Sequence, residues 1–126
     1  MPDGHGCAAC WPDSPEAAWE SRRALAPAAE LVDESHYGVR LLGCPACGQR
    51  FLSVFTERVD WADGEDPQHW ALMPVTLEEA VSLAAAPTEA AIDALAPRRR
   101  SLRRDFPKGG EPRCFWDEGA RVRPHD

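Results

Sequence analysis

Two cysteine pairs with the same two-residue gap, Cys7-Ala8-Ala9-Cys10 and Cys44-Pro45-Ala46-Cys47, constrain this chain more than any other feature. The gap lets both sulfurs of a pair point at one ion, while the backbone tightens into a turn whose N–H groups can face the thiolates. Two such pairs make one tetrahedral four-thiolate site, the arrangement that structural zinc prefers. Gly48, directly after the second pair, suits a turn that needs positive φ there. Cys7, Cys10, Cys44 and Cys47 are therefore the candidate ligands of one structural zinc ion. Four cysteines already close such a site, so His5 and His36 read as solvated histidines rather than substitute ligands. Cys114 is left over and reads as a small packed residue beside Phe115 and Trp116, rather than an exchangeable ligand.

Composition supports a metal over a disulfide. The 126 residues suit one compact domain with a core of its own. Asparagine is absent, Lys108 is the sole lysine and Ile92 the sole isoleucine, with Ala, Arg and Pro in excess, a bias expected of a GC-rich bacterial genome. No run approaches the roughly 20 apolar residues of a membrane span, and Met1 to Gly6 has neither a basic nor an apolar leader character, so a cytoplasmic protein is expected. In a reducing cytosol, paired cysteines are metal ligands or redox centres more often than disulfides. The net charge of −7 makes the chain a poor default binder of phosphate backbones.

Along the chain, residues 1–6 read as a disordered lead before the first cysteine turn. Ser14-Pro15-Glu16 is a helix start, with a capping hydroxyl, proline at the first helical position and an acid in the first turn; the helix is expected over Pro15 to Ala26. Pro27 breaks it, and Ala28 to Val32 adds a further turn. Tyr37 to Leu42 alternates as a strand with Tyr37, Val39 and Leu41 on one face. Arg50 to Trp61 is a longer strand with Phe51 and Phe55 on one face and Leu52 and Val54 on the other, so both faces need cover. Asp63-Gly64 signals a hairpin, and His69 to Val75 returns. Thr76-Leu77-Glu78-Glu79 is a capping box opening a helix to about Ala86, and Pro87-Thr88-Glu89 starts another to Leu95. Arg98 to Arg104 reads as a basic helical turn or loop. Residues 106–126 read as an extended tail pinned by Phe115 and Trp116.

Strand, CPACG turn, strand, hairpin, strand resembles the zinc-ribbon class of four-cysteine domains, as found in small bacterial zinc-ribbon proteins. The resemblance covers the cysteine turns and the sheet, and it implies that the two pairs ligate one zinc. Two departures stand out: the gap between the pairs holds a helix, and Cys10 is followed by Trp11 rather than glycine. The Cys-Pro-Ala-Cys stretch is also similar to the active site of glutaredoxin-like proteins. There the first cysteine opens a helix whose N-terminus lowers its pKa; here Phe51 to Phe55 continues as a strand, and the helix is missing where that chemistry needs it.

The polar cluster Glu57, Asp60, Asp63, Glu65, Asp66 and His69 gathers around the hairpin. It matches no calcium loop and frames no nucleophile, so it reads as a solvated tip that blunts a sheet edge, or as a partner for Arg98, Arg99, Arg100, Arg103 and Arg104. The five tryptophans read as packing residues, with Trp61 facing Trp70 across the hairpin.

Together these features predict an α+β domain spanning 1–126. A zinc-ribbon core with an inserted helix occupies 7–75, a helical part 76–105 and the tail 106–126. The expected role is a non-enzymatic module acting through protein contacts, ahead of a nucleic-acid-associated zinc ribbon and of a small metal- or thiol-dependent enzyme. No catalytic residue is assigned, and no membrane contact is expected.

Overall fold

The computed structural model of the protein describes residues 5–34, 36–57, 67–95, 99–106 and 110–120. Its centre is a six-stranded antiparallel sheet in which each strand pairs with its neighbours in sequence: β1 (Ala26–Glu34), β2 (Tyr37–Gly43), β3 (Arg50–Glu57), β4 (Gln68–Val75), β5 (Arg100–Phe106) and β6 (Arg113–Glu118). Helix α1 (Pro15–Ser21) and a 3-10 turn (Arg22–Ala24) precede β1; α2 (Leu77–Ala85) and α3 (Glu89–Asp93) lie between β4 and β5. The α+β class follows from these elements, although the sheet has twice the three strands that the sequence suggests.

The register sorts the side chains into two faces. Val39 pairs with Val54 and Val54 with Ala71, and Leu41 pairs with Leu52 and Leu52 with Met73, which builds an aliphatic face from β2, β3 and β4. Ala80 and Leu83 of α2 and Ile92 of α3 close over it. Leu42 pairs with Phe51 on the other face, as do Leu72 with Leu102 and Leu102 with Trp116. The N-terminal segment covers that side with Cys10, Trp11, Ala18 and Leu25. Both faces of β3 are thus covered, as apolar residues on both of them require.

The helix starts form as their caps dictate. Ser14 Oγ accepts from the Ala17 N–H at 3.2 Å, and Pro15 stands in the first turn of α1. At α2, Thr76 Oγ1 accepts from Glu79 N–H at 3.1 Å while Glu79 Oε1 accepts from Thr76 N–H at 2.8 Å. A reciprocal cap of this kind contributes about 0.5–2 kcal/mol.

Three expectations are corrected. The first helix ends at Ser21 instead of Ala26, and Ala26–Glu34 is an edge strand with register shifts at Pro27/Ala29 and Glu30/Val32. Alanines and a proline disguise it, but an edge strand tolerates the missing N–H, and pairing to β2 overrides weak local propensity. Arg100–Phe106 is strand β5 rather than part of a helical segment 76–105, and the tail contains β6. Arg100 and Arg104 on one face of β5 hide a strand, because an arginine's aliphatic stem and planar head can lie against aromatic rings. At the N-terminus, Gly6 is no free lead: its N–H donates to Gln49 Oε1 at 3.0 Å. The Asp63-Gly64 turn and the Trp61–Trp70 pair lie outside the described residues, as do Asp60, Glu65, Asp66 and Arg98.

Candidate metal centre

The first cysteine turn precedes α1 and the second joins β2 to β3. The Cys7 carbonyl accepts from the N–H groups of Cys10, at 3.2 Å, and Trp11, at 2.8 Å; the Cys7 N–H in turn points at Cys10 Sγ, 3.2 Å away. In the second turn the Cys44 carbonyl accepts from Gly48 N–H at 2.8 Å, and Gly48 has φ +81°, the left-handed backbone expected of it. The four sulfurs come together, every pair within 4.8 Å. Cys7 and Cys10 Sγ are 3.6 Å apart, Cys7 and Cys44 3.9 Å, and Cys10 and Cys47 3.7 Å.

These separations decide what the cluster can hold. A disulfide needs about 2.05 Å between sulfurs, whereas a regular tetrahedron of thiolates at about 2.3 Å from a central ion has edges of about 3.8 Å. The donor set therefore fits one tetrahedral ion, and all four cysteines are free. As metal-free thiols they are unlike one another. The backbone N–H and thiol of Cys10 beside Cys7 lower the Cys7 pKa to about 7, while burial pushes Cys10 well up. Cys10 and Cys44 are buried, Cys7 is half-buried and Cys47 is exposed.

Gln49 braces the arrangement, a role no sequence pattern announced. Its carbonyl oxygen accepts from Gly6, and its amide donates to the carbonyls of Val75, at 2.7 Å, and Arg50, at 2.9 Å. One side chain thus ties the approach to the first turn, the exit of the second and the end of β4. Trp11, directly after the first pair, is buried against Phe51 and Trp116, with ring centroids 5.4 and 5.1 Å away.

The remaining candidates go elsewhere. His36 Nδ1 lies 3.0 Å from Glu57 Oε1 at the far end of β2, and Cys114 Sγ accepts from Arg104 Nη1 at 3.0 Å. Among the described members of the acidic cluster, Glu57 also accepts from Gln68 at 2.8 Å and His69 faces Asp105 at 3.4 Å. The arginine run is divided by the strand alternation. Arg99 pairs with Glu79 at 2.6 Å rather than with the hairpin acids. Arg103 is buried, donating to Ser101 Oγ and to the carbonyls of Glu118 and Gly119. Arg100 stacks on Trp116 at 4.0 Å, and Arg104 lies over Phe106 at 4.9 Å and Trp19 at 5.5 Å.

Set against protein-family models, curated proteins and solved structures, the chain matches none. No helix among the described residues is long and apolar enough to cross a membrane. The cysteine geometry carries the functional reading.

Proposed function

We propose that Cys7, Cys10, Cys44 and Cys47 ligate one zinc ion with a structural role, in a zinc-ribbon-like bacterial protein of the cytoplasm that acts as a non-enzymatic protein-interaction module. The observation that carries the metal reading is the convergence of the four sulfurs, all within 4.8 Å of one another and three of the six separations at 3.6 to 3.9 Å, near the edge of one thiolate tetrahedron. An all-thiolate set favours zinc among common tetrahedral ions, and four protein ligands leave no position for a substrate or water. The ion supplies a cross-link there, joining the segment before α1 to the β2–β3 turn. The interaction half is supported by the surface beside that turn: Pro45 to Gly48 is exposed. On α2, Leu77 and Val81 stand one helical turn apart at 63% and 70% exposure.

Native mass spectrometry before and after a strong chelator tests the proposal. The expected result is one zinc per chain, lost on chelation. Maleimide labelling of the two cysteine pairs should rise sharply at that point. A different metal, no metal, or labelling of Cys44 that ignores chelation would overturn the reading.

A further inference from the structure

The face of the sheet that α1 covers carries two adjoining cavities, one beside Trp19 of α1 and one along β1, of about 250 and 220 Å³, which share Arg40, Ser53 and Trp70. Arg22, Arg23 and Arg40 line the first, together with Trp19 and Trp70 and the aliphatic Leu42 and Leu72. No carboxylate among the described residues lines it. Arg22 is the decisive member. Its guanidinium stacks on Trp19 at 3.7 Å, and its Nε is buried without a hydrogen-bond partner. Glu20, an acid whose charge reaches it, is engaged with Arg23 at 3.6 Å. Burial, and then the charge of Arg23, lower the Arg22 pKa. A buried guanidinium N–H without an acceptor, beside further cations, is unfavourable until an anion completes it.

We propose that this cavity is a binding site for a small anion with a flat apolar body, of the aryl carboxylate class. The carboxylate lies among Arg22, Arg23 and Arg40, and the ring system lies against Trp19 and Trp70, whose edge-to-face packing at 5.9 Å presents an aromatic wall. Two features narrow the ligand. The volume falls below the usual ligand pocket of about 300–1,000 Å³, which selects one compact ring system. Glu30, Asp33 and Glu34 line the second cavity and would repel an extended polyanion, which sets nucleic acid aside. Arg40 is available because its contact with Glu30 is long, 3.8 Å, and largely exposed.

The test uses the full chain as purified, with 2-naphthoate as the probe, 2-naphthylmethanol as its neutral counterpart, and the tryptophan indole N–H resonances as the readout. Naphthoate should shift Trp19 and Trp70 saturably and bind at least about tenfold tighter than the alcohol, the difference a charge-assisted hydrogen bond makes. Arg22→Gln should weaken it about tenfold. Arg40→Gln, at an exposed position that the fold tolerates, should weaken it less, and Ser53→Leu should fill the shared wall and abolish binding. Equal affinity for acid and alcohol, affinity unchanged in the Arg40→Gln protein, or no saturable shift at millimolar naphthoate would each overturn the proposal.

Discussion

The two faces of the sheet are buried by different chemistry. Under α2 and α3 the contacts are aliphatic: Val39, Leu41, Leu52, Val54, Met73 and Val75 meet Leu83 and Ile92. Under α1 they are aromatic and ionic, with Trp11 and Trp116 around Arg100, Trp19 between Arg22 and Arg104, and the buried cysteines Cys10 and Cys44 at one end. The first face depends on area removed from water, at about 25 cal/mol per Å², and is indifferent to metal or redox state. The second has a cover of one seven-residue helix, too short to persist alone, held by ring contacts, by Trp116 Nε1 donating to the Asp13 carbonyl at 3.0 Å, and by the cysteine cluster. Stability should therefore be graded across the sheet, with the α1 face the first to open.

The sharpest way to break that contrast is to remove the metal. Small zinc domains draw about 10 kcal/mol or more from their ion, so chelation or Cys44→Ser is the largest perturbation. It should strip hydrogen-exchange protection from α1 and alter tryptophan emission, while the amides of β2, β3 and β4 stay protected. Simultaneous loss across the whole sheet would mean that the faces are not separable. A smaller effect is expected from Met73→Ala, which opens a cavity on the aliphatic side at a cost of about 2–5 kcal/mol. Its denaturant midpoint should fall with zinc content unchanged; a variant that also lost zinc would tie the two faces together.

The smallest effect concerns a polar patch within the aliphatic side. His69 Nε2 faces Arg103 Nη1 at 3.3 Å and Nδ1 faces Asp105 Oδ1 at 3.4 Å, so the neutral ring accepts from the arginine and donates to the acid. Burial lowers the His69 pKa, the Arg103 charge adds to this, and Asp105 and Asp117 oppose it. The folded chain thus takes up a proton less readily than the unfolded one, whose histidine titrates near about 6.5. This contribution to stability is complete above that value and is lost as pH falls below it. His69→Gln should flatten the stability profile between about pH 5 and 7; an unchanged slope would assign the effect to other groups.

The elements that sequence reading placed well are those whose signal is local. Thr76 and Glu79 cap each other within one turn, β2 declares itself by alternation and β3 by apolar residues on both faces, and the two cysteine turns carry their own spacing. What escaped it was decided across distance. β1 becomes a strand because β2 offers it an edge, and β5 because Trp19, Phe106 and Trp116 give Arg100 and Arg104 rings to lie on. Gln49 was illegible because an amide that bridges Gly6 to Val75 has no pattern until the chain is folded.

The neighbour-by-neighbour strand order also has a kinetic meaning. Pairings between adjacent strands close small loops and form early, so β1 to β4 can assemble as the chain leaves the ribosome, before β6 has been made. The hydrogen bond from Trp116 to Asp13 spans 103 positions, and it cannot form until Trp116 has been synthesised. Until then Trp11 and the cysteine cluster lack their outer wall, and the nascent protein presents its thiols before it can shelter them.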